Sequence, residues 1–171
     1  MSAQISQFKK TASTPESGPK RILLLDDDAD LVHSLKQLLE SHSFVVSAEC
    51  SSALAAAGFP IKASGDLVVT TVSSGVEGLN EVMKVDFDAI ICDMMMPRMA
   101  GDMFYLAVTK MKPHLSERFL FITGHSKDAK ISEFLKKTRR LVLFKPVPIH
   151  DLITTISFML KQAARGSRRG S

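Results

Sequence analysis

Tryptophan is missing from this 171-residue sequence, which holds a single tyrosine and two cysteines. Aromatics make up only 6% of it, and they are not interleaved with the basic residues. Direct nucleic-acid binding is therefore not expected, because no stacking platform accompanies the positive charge. Cys50 and Cys92 are too few for a disulfide framework or a zinc cluster. Cys92 lies inside an apolar run and reads as a buried thiol, and a reducing cytoplasm is the expected compartment. No apolar run approaches the roughly 20 residues of a membrane helix, so no membrane association is expected. Residues 1–20 are rich in Ser, Thr, Pro and Gly and lack the apolar stretch of a secretory signal.

What is present is apolar material for one domain: 45% of the residues are hydrophobic. The net charge is +4, from 22 Lys plus Arg against 18 Asp plus Glu. Lys9, Lys10 and Lys20 outweigh Glu16 at the start, and Arg165, Arg168 and Arg169 face no acid at the end. With +5 at the ends, residues 21–164 carry a net charge of −1. The organisation expected is a flexible leader over 1–20, one domain over 21–164 and a disordered basic tail over 165–171.

Within the domain, short apolar runs alternate with helical spacings. Strands are predicted at Arg21–Leu25, Leu67–Val72, Phe87–Cys92, Phe119–Thr123 and Leu141–Phe144. Runs of this kind, apolar on both faces, suit a parallel sheet. Helices are predicted after each strand. The first, capped by Asp28, carries Leu31, Leu35, Leu38 and Leu39. Others span about Gly75–Lys84, about Asp102–Lys112 with a stop at Pro113, the region of Ile131, Phe134 and Leu135, and about Pro148–Ala164. Five strand-helix units in alternation give an α/β fold, a doubly wound five-stranded parallel sheet with helices on both faces. Residues 43–66 break the rhythm and are expected to be an insertion containing some helix.

Ligands of such sheets bind beyond the carboxyl ends of the strands. The first strand ends at Asp26 and Asp27, the third at Asp93, the fourth at Thr123 and the fifth at Lys145. Clustered carboxylates repel, and a hard divalent cation such as Mg²⁺ relieves the repulsion while recruiting phosphate oxygens. Lys145 adds a point charge and Thr123 a hydroxyl. The set suits transfer of a phosphoryl group to an aspartate oxygen. Met94, Met95, Met96 and Met99 read as plastic packing. Lys136, Lys137, Arg139 and Arg140 read as a solvated face. The five histidines read as surface residues, with His125 near the site entrance.

Four motifs resemble the receiver domain of two-component response regulators: Leu-Leu-Leu-Asp26-Asp27-Asp28, Cys92-Asp93-Met-Met-Met-Pro97-Arg-Met-Ala-Gly101, Phe121-Ile-Thr123-Gly and Phe144-Lys145-Pro146. The resemblance covers about 21–164 and implies a flavodoxin-like receiver fold and a signalling domain rather than an enzyme. It implies that Asp93 is the phosphoacceptor, and that Asp26, Asp27, Asp93 and the Met95 backbone carbonyl hold Mg²⁺. It further implies that Lys145 contacts the phosphoryl group, that Thr123 turns toward it, and that the Lys145–Pro146 bond is cis. The implied partners are a histidine kinase or histidine phosphotransfer protein and a downstream signalling protein, with a homodimer left open. Val142 stands where many receivers have an aromatic switch residue, and Leu135-Lys-Lys-Thr-Arg-Arg140 is similar to receivers attached to hybrid histidine kinases. The short stretch after the last helix leaves a free-standing receiver, a phosphorelay intermediate or a piece of a hybrid kinase as alternatives. Two rival functions stay open at this point. Asp26-Asp27-Asp28 also matches the Asp-x-Asp of haloacid dehalogenase-like phosphatases, and a degenerate receiver acting as an interaction module is the other.

Overall fold

The structure, a computed structural model, describes residues 19–41, 67–124 and 128–167. Five strands, β1 (Lys20–Leu25), β2 (Leu67–Val72), β3 (Ala89–Asp93), β4 (Phe119–Thr123) and β5 (Leu141–Phe144), pair in parallel in the order β2-β1-β3-β4-β5. Between and after them run α1 (Ala29–Ser41), α2 (Gly75–Lys84), α3 (Gly101–Met111), α4 (Ala129–Thr138) and α5 (Ile149–Ser167). The α/β, doubly wound, five-stranded expectation holds.

Alternation along the strands builds two cores. Ile22, Leu24, Ala89, Ile91, Leu120 and Ile122 face one side, where Leu35 and Leu39 of α1 and Leu152, Ile156 and Met159 of α5 cover them. Leu23, Leu25, Ile90, Cys92, Phe119 and Phe121 face the other, against Val82 of α2 and Phe104, Tyr105 and Val108 of α3. Because both faces are covered, the central strands have no polar side, which is why they read as unbroken apolar runs. Helix α4 has no fully buried residue, and edge strand β5 is only half covered.

Local chemistry explains the boundaries. Asp28 accepts from the amides of Asp30 and Leu31 and caps α1 as expected. Asp128 does the same for α4 through Lys130 and Ile131. The first strand starts at Lys20, one residue before the expected Arg21, and β3 starts at Ala89 rather than Phe87. Lys20 joins β1 by pairing with Leu67 of β2, and Asp88 fixes the entry to β3. Its carboxylate takes the Arg21 amide at 2.9 Å and the Lys20 ammonium at 3.1 Å, and its own amide donates to the Arg21 carbonyl. The chain stops at Met111 as a helix, but Pro113 opens a 3₁₀ turn, Pro113–Arg118, that the sequence pattern did not indicate. Buried Leu115 anchors that turn. Helix α5 continues to Ser167, so the first three residues of the expected tail are helical. The leader over 1–18, the insertion expected at 43–66 and residues 168–171 lie outside the described residues. Among the described residues, no helix is long and apolar enough to cross a membrane.

Register makes a sharp contrast available on the second face. Phe121 is fully buried, with its ring 5.7 Å from Tyr105, 5.7 Å from Phe119 and 5.5 Å from Phe134. Phe144, one strand away, is 52% exposed. Phe121→Ala is expected to cost about 3–5 kcal/mol in urea unfolding. Phe144→Ala is expected to change it by no more than about 0.5 kcal/mol.

Candidate functional site

The connections leave β1 toward β2 on one side, and the chain then crosses to β3 on the other. The crevice of such a sheet opens at that divide, outside the carboxyl ends of β1 and β3. Leu25 is paired with Cys92, so the next residues, Asp26 and Asp93, sit side by side across the divide. Thr123 is paired with Phe144, which puts Lys145 one step above it. Side-chain parity sorts these groups further. Asp26, Asp93 and Lys145 each lie two residues after a member of the α1/α5 core, namely Leu24, Ile91 and Leu143. Thr123 lies two after Phe121, on the opposite parity.

The Lys145 ammonium bridges the two central acids, 2.8 Å from Asp26 Oδ2 and 2.7 Å from Asp93 Oδ2. Asp26 and Asp93 are only 5% and 7% exposed, so each needs that charge partner. Asp27 sits on the exposed rim, and one carboxylate oxygen from each of Asp26, Asp27 and Asp93 can be chosen so that all lie within 4.8 Å of one another. Burial pulls the Lys145 ammonium toward losing its proton, but hydrogen bonds and charges from Asp26 and Asp93 outweigh it. The net effect holds Lys145 above its ordinary value of 10.5. What these pairs contribute to stability is thus complete below that ordinary value and is lost as pH rises through the raised one.

Among the described residues, the Lys145 ammonium set against three carboxylates leaves negative charge in excess. Hard oxygen donors in that excess fit a cation such as Mg²⁺. Asp93 is further fixed by the Met95 amide, which donates to its Oδ1 at 3.2 Å. The Met95 side chain is exposed, whereas Met94 and Met96 are buried as packing residues. Thr123 is fully buried, and its carbonyl accepts from the Lys145 amide at 2.9 Å. The Lys145–Pro146 bond is cis, as expected. Gly101 closes the loop after β3 against the strand, its amide donating to the Met94 carbonyl. A Cβ there would collide with the Asp93 carbonyl and come within 3.0 Å of Met94 Cα. Cys92 is a buried free thiol, as its place in an apolar run predicts, and burial makes it hold its proton.

Beside the acids opens a groove of about 590 Å³, lined by Asp26, Asp27, His33, Lys36, Ser73 and Glu77 among others. Glu77 was not singled out from the sequence, although Ser74-x-x-Glu77 has the spacing of a capping box. Ser74 caps α2, while the Glu77 carboxylate takes the Ser73 amide and hydroxyl and reaches Arg98 at 3.5 Å. No sequence signal marked Arg98. The charge run of α4 needs one correction. Lys136, Lys137 and Arg139 are exposed, but Arg140 donates to the carbonyls of Thr138 and Ser116 and ties β5 to the 3₁₀ turn. His114 is exposed yet paired with Asp86 at 2.7 Å. His125 and His42 lie outside the described residues. Val142 packs partly buried against the α2/α3 core.

Because Lys145 occupies the charge balance that a cation would complete, Lys145→Met is expected to lower the melting temperature without divalent ions. Mg²⁺ is expected to bind this variant more tightly than wild type and to restore more of its stability. Calorimetric titration and thermal melts check both, and weaker Mg²⁺ binding by the variant would contradict the competition. A second expectation concerns the loop. Gly101→Ala should destabilise the fold by about 1–3 kcal/mol in urea, because the atoms it meets are backbone and cannot swing aside.

Comparison with known proteins agrees with this geometry. The family model for the response regulator receiver domain matches residues 59–157, a span that includes Asp93, Thr123 and Lys145 but not Asp26 or Asp27. The chain is similar to the response regulator receiver protein CpdR of Brucella abortus (strain 2308), 28% identical over 141 residues, covering 82% of this chain and 97% of the relative. It is also 27% identical over 143 residues to the sensor kinase CckA of the same organism; the match covers 80% of this chain but only 15% of that protein. Among solved structures, a CheY-like receiver domain protein from Methanospirillum hungatei JF-1 superposes with a TM-score of 0.67 at 23% identity, over 87% of this chain and 99% of that one. The match to the family model spans more than half of the sequence, and the sheet order, the cores and the crevice are those of the same fold: the chain belongs to the response regulator receiver domain family of two-component signalling.

Proposed function

We propose that this receiver takes a phosphoryl group from a phosphohistidine of a sensor kinase or histidine phosphotransfer protein onto Asp93, with Mg²⁺ at Asp26, Asp27, Asp93 and the Met95 carbonyl. The observation that carries this is the Lys145 bridge. A buried carboxylate is paired with an ammonium 2.7 Å away, at the mouth of a crevice, beside two further acids. In the reaction an Asp93 oxygen attacks phosphorus in line. The new O–P bond forms as the P–N bond breaks, and the electron pair of that bond leaves with the donor imidazole, which takes up a proton. Lys145 moves its ammonium from the bare carboxylate to a phosphoryl oxygen, so its charge follows the charge that is transferred. A bound Mg²⁺ would neutralise phosphoryl oxygens and relieve the repulsion among the acids. Thr123 supplies a hydroxyl to the modified site, and its movement changes the surface presented to a downstream signalling protein. The setting is the cytoplasm.

The family assignment weighs against a haloacid dehalogenase-like phosphatase, and the intact set of acids and lysine weighs against a degenerate receiver. Acetyl phosphate with Mg²⁺ is expected to label the wild-type protein, as read by intact mass (gain of one phosphoryl group). Asp93→Asn should abolish the label and Asp27→Ala should reduce it severely. Labelling of Asp93→Asn equal to that of wild type would sink the assignment. Turnover of a generic phosphate ester that survives Asp93→Asn but not Asp26→Asn would revive the phosphatase.

A further inference from the structure

We infer that the Glu77–Arg98 ion pair is a clasp that positions the loop between β3 and α3 for the cation, making both positioning residues of the site; this rests on the Mg²⁺-dependent function proposed above. The loop carries Met95, and two of the loops around the acids meet at this pair. Glu77 is anchored on its own side first. It takes the Ser73 amide at 3.0 Å and the Ser73 hydroxyl at 3.1 Å, and its amide donates to Ser74 Oγ. Ser73 follows Val72, whose carbonyl accepts from the Asp26 amide. The same carboxylate then reaches the Arg98 guanidinium at 3.5 Å.

Arg98 is held in an unusual state. Its φ is +65°, a left-handed conformation that side-chain-bearing residues seldom adopt without support from their surroundings. Next to it, Met99 packs so closely on the start of α2 that a Cβ on Gly75 would come within 2.8 Å of Met99 Cγ. The loop is thus pressed onto α2 at Met99 and pinned by charge at Arg98, three residues after Met95. Glu77 is held below the usual carboxylate range by the Ser73 amide and hydroxyl, with Arg98 adding to the effect, so it is charged when the clasp is needed.

The backbone and the guanidinium are separable. Arg98→Gly keeps the left-handed backbone at no steric cost and removes the clasp, whereas Arg98→Lys keeps a cation. Glu77→Gln retains an acceptor for Ser73 but loses the charge. Mg²⁺ binding by titration calorimetry is expected to weaken about three- to fivefold in Arg98→Gly and in Glu77→Gln, a range suited to an exposed pair. It should stay near wild type in Arg98→Lys, and the double variant should lose no more than either single one. In metal-free protein, hydrogen exchange of the loop amides should speed up in the same two variants. Arg98→Gly with wild-type Mg²⁺ affinity and unchanged exchange would overturn the clasp, as would losses that multiply in the double variant. Wild-type protein that binds no Mg²⁺ would instead overturn the metal reading, and the exchange rates would still decide whether the clasp holds the loop.

Discussion

Two carboxylates, Asp26 and Asp93, are nearly excluded from water within reach of a third, Asp27, and among the described residues the Lys145 ammonium pairs with both. Folding these acids together costs free energy, which the Lys145 ammonium offsets together with the Asp28 and Met95 amides that donate to Asp26 and Asp93. The rest of the crevice can be understood as the means of bringing that charge in. Lys145 comes from the far edge of the sheet, 52 residues after Asp93 and 119 after Asp26. It arrives because β4 and β5 hold a fixed register beside β3, and because its parity matches that of the acids. A one-residue slip of β5 would send the ammonium to the opposite face and leave Asp26 and Asp93 uncompensated.

The two-sided core is what makes such a register firm. Every residue of β3 and β4 is buried, so any slip would move apolar side chains out of both cores at once. Rigidity declines toward the edge. Strand β5 is half covered and α4 contributes no fully buried residue. The site therefore joins a stiff part, Asp26 and Asp93 on central strands, to a more weakly held part, Lys145 on the edge strand. Regions with fewer buried contacts open and shift at lower cost.

Much of this was legible in the sequence because the signals are local. Arg21–Leu25 and Phe119–Thr123 could be read as buried strands from composition alone, and Asp28 as a cap from its place before a leucine repeat. Asp26, Asp27, Asp93, Thr123 and Lys145 could be selected because each ends a strand, and strand ends of such sheets share one edge. What escaped depends on contacts between distant segments. Leu67 of β2 brings Lys20 into β1, and Asp88 bonds Lys20 and Arg21 at the entry to β3, contacts between residues far apart in the chain. Arg140 looked like one more solvated cation in a charge run, yet backbone carbonyls hold it. Arg98 carried no signal, since the role inferred for it comes from a backbone angle in the loop after β3 and from a glutamate on α2.

Thr123 is the point where the two parts of the site meet. Its side chain follows the parity of Phe121 and the α2/α3 core, while its carbonyl holds the amide of Lys145, whose side chain points to the acids. Under the proposed function, phosphorylation of Asp93 draws Lys145 from a carboxylate to a phosphoryl group, and that move reaches β5 along the chain through Phe144 and β4 through the backbone bond to Thr123. The position facing it in β5 is Phe144, which is half exposed, and Val142 lies two residues earlier with no ring to rotate. Position 142 therefore offers no aromatic rotamer, and the ring opposite Thr123 is that of Phe144. A small displacement of the edge strand and of α4 would alter the exposed apolar surface at Leu141 and Phe144, and it would be felt in the two cores through Leu143, Val142 and Phe134.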